Sequence, residues 1–144
     1  QFNMANPANS TAYQLPDGRM AVDVTEAKTL ALADSGYVQN VVYANGVVTL
    51  PATAVVGTFT VRNGGVAPTS GPDGAVSDGN LISVTPNASD KVTGGVDGTA
   101  TDGKPFRNTA ATAKVGDEIV ITNTGATDGG FVESVKGTWV RDNA

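Results

Sequence analysis

Short apolar runs separated by turn-forming dipeptides dominate the hydrophobic pattern of the chain. Val, Ile, Thr and aromatic residues are concentrated in these runs, and such residues are enriched in β-strands. No segment shows a convincing long amphipathic helical period. The pattern predicts an all-β chain with strands at Met20–Val24, Thr29–Ala33, Tyr37–Tyr43, Val47–Leu50, Thr58–Arg62, Leu81–Val84, Glu118–Thr122, Phe131–Val135 and Thr138–Arg141.

Asp-Gly and Asn-Gly pairs mark the turns between these runs. Such pairs tolerate positive φ and close tight turns. Asn45-Gly46 lies between two apolar runs and predicts a β-hairpin, and a closing hairpin is expected across Lys136-Gly137. Many short strands joined in this way predict a compact β-sandwich or small β-barrel. The Asp-Gly and Asn-Gly pairs begin at Asp17, Asp73, Asp78, Asp97, Asp102, Asp128, Asn45 and Asn63.

The chain divides into an arm and a domain. Residues 1–18 include Pro7 and Pro16 and lack a strand period, so they predict an extended N-terminal arm. Residues 19–144 predict a single β domain. Disorder of the arm is the competing interpretation, because chain termini are often poorly ordered.

An internal echo suggests a finer division of the domain. Ala52–Gly57 and Ala111–Gly116 agree at every position but one. Two related β units, over 19–66 and 80–144, would explain the echo. Chance agreement among residue types that are common in this chain would explain it equally.

Composition and charge argue against several classes of function. The 144 residues include no His and no Cys, which removes the commonest general base, the best metal ligands and the best nucleophile. The formal net charge is −5, and the nine basic residues are scattered singly, so we expect no nucleic-acid partner. No apolar run approaches about 18 residues, so we expect no membrane span.

Three segments partly match a phosphate-binding loop, a calcium-binding loop or a catalytic carboxylate pair, but each lacks residues or spacing that the site requires. Gly98–Lys104 matches part of a phosphate-binding loop, but Pro105 follows where Ser or Thr is needed and no helix is predicted there. Asp97 and Asp102 lack the spacing of a calcium loop, and Asp117-Glu118 would point to opposite faces of a strand. We therefore predict no enzymatic activity, no metal and no cofactor.

Five short segments form a distinctive set along the chain: Leu50–Ala52, Ile82–Asn87, Asp90–Gly94, Asn108–Thr122 and Gly130–Trp139. The four segments of the second half resemble the C-terminal module of tailed-phage virion proteins, most nearly the capsid decoration (cement) proteins. The Leu-Pro-Ala turn in the first half is similar to turns of phage fibre and decoration domains. The resemblance covers much of the chain but not the N-terminal arm.

The resemblance implies a β domain, commonly a homotrimer, on the outer surface of an icosahedral capsid. Such a protein is made in the cytoplasm of the bacterial host, binds the major capsid protein and stabilises the virion by bridging capsid subunits. A flexible arm can order on binding and wrap a large surface. The expected contact residues are therefore the apolar anchors of the arm, Phe2, Met4, Tyr13 and Leu15. Trp139 is expected to be a core anchor or a subunit-interface anchor.

Two other functions fit the pattern. A phage fibre or receptor-binding module would recognise a host surface glycan or protein. It would present an exposed aromatic cluster, formed by Tyr37, Tyr43 or residues of the Pro68–Asn80 loop. An exported bacterial surface or adhesin domain is the third possibility.

Overall fold

The apolar runs form the strands of two facing β-sheets in the computed structural model, which describes residues 12–66 and 80–142. The predictions of an all-β fold and of a sandwich are therefore confirmed. In the described ranges the strands are β1 (Tyr13–Gln14), β2 (Met20–Val24), β3 (Lys28–Thr29), β4 (Val38–Val41), β5 (Gly46–Thr49), β6 (Gly57–Asn63), β7 (Ile82–Thr85), β8 (Val92–Thr93), β9 (Phe106–Asn108), β10 (Glu118–Asn123), β11 (Gly130–Lys136) and β12 (Val140–Arg141).

Both sheets are mixed. The larger sheet has the strand order β1-β2-β4-β6-β10-β11-β8, and the smaller sheet has the order β12-β9-β7-β5-β3. From β2 to β7 the chain alternates between the sheets, so β2, β4 and β6 are parallel in one and β3, β5 and β7 are parallel in the other. Parallel neighbours need a crossover connection. Here each crossover runs through a strand of the opposite sheet.

The core lies between the sheets and is formed by the inward side chains of both. Register pairs Val61 with Ile119 and Phe59 with Ile121 in the larger sheet, and all four side chains are fully buried. Burial of one such side chain contributes about 1.5–3 kcal/mol, so this layer is a main source of stability. The smaller sheet contributes the fully buried side chains of Val48, Ile82, Val84 and Phe106.

Trp139 belongs to the same core. Its side chain is 7% exposed and packs in the apolar cluster, and its indole Nε1 donates a hydrogen bond to the backbone oxygen of Lys136 at 2.9 Å. A buried indole N–H usually needs such a partner. Of the two roles expected for Trp139, this location corresponds to the core anchor.

The hairpin predicted at Asn45-Gly46 is wrong. Asn45 does adopt a positive φ of 55°, but the turn leaves β4 of the larger sheet and enters β5 of the smaller sheet. The Asn80 side chain supports this crossing, because its amide nitrogen donates to the Tyr43 oxygen at 3.0 Å and its oxygen accepts from the Asn45 N–H at 3.1 Å. The Asn-Gly pair therefore predicts correctly that the chain turns here, but it does not predict which strands pair.

The closing hairpin predicted across Lys136-Gly137 is wrong for the same reason. It connects β11, which pairs with β10, to β12, which pairs with β9 in the other sheet. Gly137 has a φ of 91°, and a Cβ at this position would collide with the Asp117 carboxylate. Burial of Trp139 immediately after the turn draws the chain across the core.

The strand predicted at Thr29–Ala33 is only partly formed. β3 ends at Thr29, and Leu32–Asp34 is a 3-10 turn. The Asp34 carboxylate accepts a hydrogen bond from the Ala31 N–H at 2.9 Å and lies 3.3 Å from Lys28 Nζ. Asp side chains that bond nearby backbone groups favour turns over strands. The loop-rich segment between β7 and β10 contains β8 and β9, which the pattern did not indicate.

Strands from both halves of the chain occur in both sheets. The echoed segments Ala52–Gly57 and Ala111–Gly116 lie just before β6 and β10, which are antiparallel neighbours in the larger sheet. The relatedness of the two units stays a prediction. At the N-terminus, β1 pairs with β2, so the end of the predicted arm joins the larger sheet. Residues 1–11 lie outside the described ranges.

A buried polar network ties strand ends together on one side of the sandwich. Asn63 Nδ2 donates to Asn108 Oδ1 at 2.6 Å and to the Asn80 backbone oxygen at 2.8 Å. Asn108 Nδ2 donates to Asp117 Oδ2 and to the Thr138 backbone oxygen, each at 3.0 Å. These residues end β6 and β9 and precede β7, β10 and β12, so the network fixes the spacing of five strands.

The contact between Gly137 and Asp117 gives a stability prediction. Gly137 (φ 91°) and Gly36 (φ 87°) have similar left-handed conformations, but a Cβ at Gly36 would have no neighbour within 4 Å. Ala in this region costs about 1–2 kcal/mol, so Gly36→Ala should lower the free energy of unfolding by that amount. Gly137→Ala should cost about 1–3 kcal/mol more, because overpacking is added to the strain. Urea unfolding of both variants measures the difference, and equal losses would contradict the contact.

Candidate functional site

The turn between β1 and β2 lies over the outer face of the larger sheet. The turn is closed by hydrogen bonds from the Leu15 N–H to the Arg19 oxygen at 2.7 Å and from the Gly18 N–H to the Leu15 oxygen at 2.9 Å. β4 and β6 separate β2 from β10 in the sheet, yet Arg19 Nη1 lies 2.8 Å from Glu118 Oε2 on β10. The turn therefore crosses the sheet instead of projecting from its edge.

A groove of about 240 Å³ lies between this turn and the sheet. Leu15 and Pro16 form an apolar rim on the side of the turn. Two acidic and three basic side chains line the rest of the groove, together with Gly116. We call this site the turn groove, and its lining residues are Leu15, Pro16, Asp17, Arg19, Arg62, Gly116, Glu118 and Lys136.

Arg19 is already neutralised within the turn groove. It contacts Asp17 through Nε and Glu118 through Nη1, both at 2.8 Å. Burial opposes the charged form of Arg19, but the hydrogen bonds to Glu118 and Asp17 outweigh this effect and raise its pKa. The pKa of Asp17 is lowered, chiefly by a hydrogen bond from the Arg19 backbone N–H. These three groups form a closed ion-pair cluster.

Arg62 and Lys136 have no acidic partner among the described residues. Arg62 Nη1 donates to the neutral Asn40 Oδ1 at 2.8 Å. The described part of the chain offers no hydrogen-bond or ion-pair partner to the Lys136 ammonium. Register places Glu118 opposite Arg62 on one side and opposite Lys136 on the other, but its carboxylate is bonded to Arg19. Arg62 and Lys136 thus make no ion pair with another described residue, and because the Arg19 cluster carries two carboxylates against one guanidinium, the lining as a whole has one positive charge in excess.

Tyr13 extends a polar row along the same sheet face. Its hydroxyl donates to Asp23 Oδ1 at 2.5 Å and accepts from Asn40 Nδ2 at 3.2 Å. Burial, followed by the hydrogen bond to Asp23, raises the pKa of Tyr13 above its usual value of 10.0. Arg62 joins the row through Asn40. The side chain of Tyr13 is 38% exposed, so its ring remains available for contact.

The expected contact residues are therefore only partly placed. Tyr13 and Leu15 lie on the β1–β2 hairpin, and Leu15 lines the turn groove. Phe2 and Met4 lie outside the described residues. Sequence reasoning missed Arg19, Arg62 and Lys136 as a group, because they are far apart in the chain. The outward position of Arg62 on its strand was readable from the alternation of polar and apolar residues, but the register that joins the three residues was not.

The aromatic residues expected of a receptor-binding module do not form an exposed pair. Tyr37 is buried. Tyr43 packs partly against the core, and its hydroxyl accepts a hydrogen bond from the Val47 N–H at 2.8 Å. The Pro68–Asn80 loop lies outside the described ranges except for Asn80, whose side chain supports the crossing between β4 and β5.

Three acidic residues, Asp90, Asp117 and Glu118, make contacts within the fold. Asp90 is buried, and its carboxylate accepts from the N–H and the hydroxyl of Thr53 at 2.9 and 3.2 Å. Asp117 belongs to the buried network, whereas Glu118 faces the turn groove, as the alternation along a strand predicts. Among the described residues, no group of three or more acidic side chains could hold a metal ion. No helix in these ranges is long and apolar enough to span a membrane.

Comparisons of this chain with protein-family models, with curated proteins and with solved structures find no match.

The raised pKa of Tyr13 can be measured directly. Tyr13→Phe removes one phenol, so the difference between the alkaline absorbance titrations of the parent protein and this variant isolates the Tyr13 ionisation. We expect a midpoint above 10.0, because burial and the Asp23 carboxylate disfavour the phenolate. The stabilising contribution of the neutral phenol is present below the unfolded pKa and is lost as pH rises through the folded pKa. A difference midpoint at or below 10.0 would contradict the combined effect of burial and the Asp23 contact on the phenol.

Proposed function

We propose that this chain is a structural virion protein that binds the outer surface of a phage capsid. It stabilises the capsid by bridging subunits of the major capsid protein, and it acts as a homotrimer. The observation that supports this proposal most is the surface formed by the β1–β2 hairpin and the turn groove. There, an exposed aromatic ring, an apolar rim and two cations that make no ion pair within the described ranges adjoin the start of the described chain.

The contact surface and the arm are continuous. Residues 1–11 lead into the hairpin in the chain, and the apolar anchors Phe2 and Met4 precede Tyr13 by eleven and nine residues. A segment of this kind can add contact area on either side of the groove. The hairpin supplies a fixed part of the contact surface, because its turn is held to β10 through Arg19.

The interior of the sandwich is suited to a passive scaffold. The buried side chains of Asn63, Asn108 and Asp117 bond to one another and to loop backbones, and the buried Asp90 carboxylate bonds to Thr53. Groups engaged in this way stabilise a unique fold. The absence of Cys from the sequence also means that its stability does not depend on redox conditions.

The alternative is a fibre module that recognises a host glycan or protein. No feature of the described residues favours it, since Tyr37 and Tyr43 are engaged in the fold. Binding to a glycan array without binding to capsids would support this alternative against the capsid proposal.

Co-sedimentation with empty expanded heads of the phage that encodes the chain tests the proposal. The parent protein should bind in a saturable manner. Removal of residues 1–11 should weaken binding, and the deletion stops before Tyr13 so that β1 stays paired with β2. Leu15→Asp should reduce binding at least about tenfold, because it places a carboxylate in an apolar contact, which costs more than about 1.4 kcal/mol.

Leu32→Asp is the matched control. Leu32 is an exposed Leu (65%) near the start of β6, whereas the turn groove lies near its end. This variant should bind as the parent does. Failure of the parent protein to bind heads would overturn the proposal, and equal loss in both Asp variants would remove the assignment to the hairpin surface. Light scattering of the free protein tests the trimer separately.

A further inference from the structure

We propose that the turn groove binds a carboxylate from an acidic segment of a protein partner, between Arg62 and Lys136. The identity of that partner as the capsid rests on the proposed function. The binding chemistry itself rests on the groove alone.

The two cations converge on one open point. Arg62 Nη2 and Lys136 Nζ lie 3.9 and 3.8 Å from the position that a Cβ of Gly116 would occupy, and no other non-adjacent atom lies within 4 Å of it. The absence of a side chain at Gly116 therefore leaves space between two positive charges. Gly116 is held there by a hydrogen bond from its N–H to the Asn63 oxygen at 2.8 Å.

The groove neutralises these charges only in part, because its lining has three cations and two carboxylates. Glu118 lies between Arg62 and Lys136 in the sheet, but its carboxylate bonds to Arg19. Two like charges facing one partly enclosed space repel each other, and an anion between them would remove this repulsion. A guanidinium and an ammonium together can donate to both oxygens of one carboxylate.

The surroundings select a single carboxylate over a polyphosphate. Asp17 and Glu118 also line the groove and would repel the successive charges of a nucleic acid, and the net charge of the chain is −5. Leu15 and Pro16 give the rim an apolar side. The groove thus matches a Glu or Asp that is flanked by an aliphatic residue in a partner segment.

The test is a titration of the full chain with a peptide at low ionic strength. Binding is measured by the NMR chemical shifts of the backbone amides. The probe is a capped peptide with two Glu residues flanked by Leu, and its control has Gln in place of Glu. The Glu peptide should cause saturable shifts at Gly116 and Lys136, and the Gln peptide should not.

Lys136→Gln should weaken binding of the Glu peptide about two- to fivefold, the usual effect of one exposed ion pair. Adding Arg62→Gln should abolish it.

Lys91→Gln is the control for charge alone, because Lys91 is exposed next to β8, which pairs with the start of β11, whereas Lys136 is at the end of β11. This variant should bind the Glu peptide as the parent does. Unchanged affinity in Lys136→Gln, or loss in Lys91→Gln equal to that in Lys136→Gln, would overturn the site. Inorganic phosphate that binds as tightly as the Glu peptide would overturn the choice of a carboxylate.

Failure of the carboxylate site can be distinguished from failure of the capsid proposal in the head-binding experiment. If the parent binds heads and the Arg62→Gln, Lys136→Gln double variant binds them equally, the capsid function stands and this inference is wrong. If the Glu peptide binds as described but heads do not, the groove stands and the capsid proposal is wrong.

Discussion

The buried hydrogen bonds of Asn63, Asn108 and Asp117 are the constraint on which the sandwich depends. Because the chain crosses between sheets at most of its turns, strand ends meet one another through loops rather than through tight hairpins. Backbone groups in such loops need partners, since an unsatisfied buried group costs about 1–3 kcal/mol. The Asn side chains supply them, with Asn63 bonded to the Asn80 oxygen and Asn108 to the Thr138 oxygen.

The same network builds the floor of the turn groove. Asp117 accepts from Asn108 and from the Lys114 N–H, which holds the loop that contains Gly116. Gly137 packs against the Asp117 carboxylate, next to Lys136. The positions of Gly116, Glu118 and Lys136 therefore follow from a polar contact inside the protein. The stability of this end of the sandwich and the shape of the candidate contact surface therefore depend on the same hydrogen bonds.

Local signals identified most strands but not their partners. Val, Ile and Phe at alternate positions identify β6 and β10, because burial of one face requires that period. The Asn45-Gly46 and Lys136-Gly137 turns reverse the chain as their residues suggest, yet the sheet that each strand joins depends on distant contacts such as Trp139 in the core and Asn80 at the crossing. Turn chemistry covers a few residues and carries no information about those contacts.

Only those residues of the candidate site that are close together in the chain could be predicted from the sequence. Tyr13 and Leu15 stood out as spaced apolar residues in a Pro-containing arm, and both lie at the described surface. Arg62 and Lys136 are separated by most of the second half of the chain, and only the register through Glu118 brings them together. The network was missed because isolated Asn and Asp residues are typical of turns, and nothing in their spacing shows that they will be buried side by side.

The sheet edges restrict how this protein can associate. The outermost strands of both sheets, β1 and β8 in the larger and β3 and β12 in the smaller, have two residues each. Short edge strands offer few free N–H and C=O groups, which limits pairing with a strand of another chain. Within the described ranges, side chains on the faces and turns therefore offer more surface for contact than the strand edges do. The turn groove, with its apolar rim and two cations that make no ion pair in those ranges, is a surface of that kind.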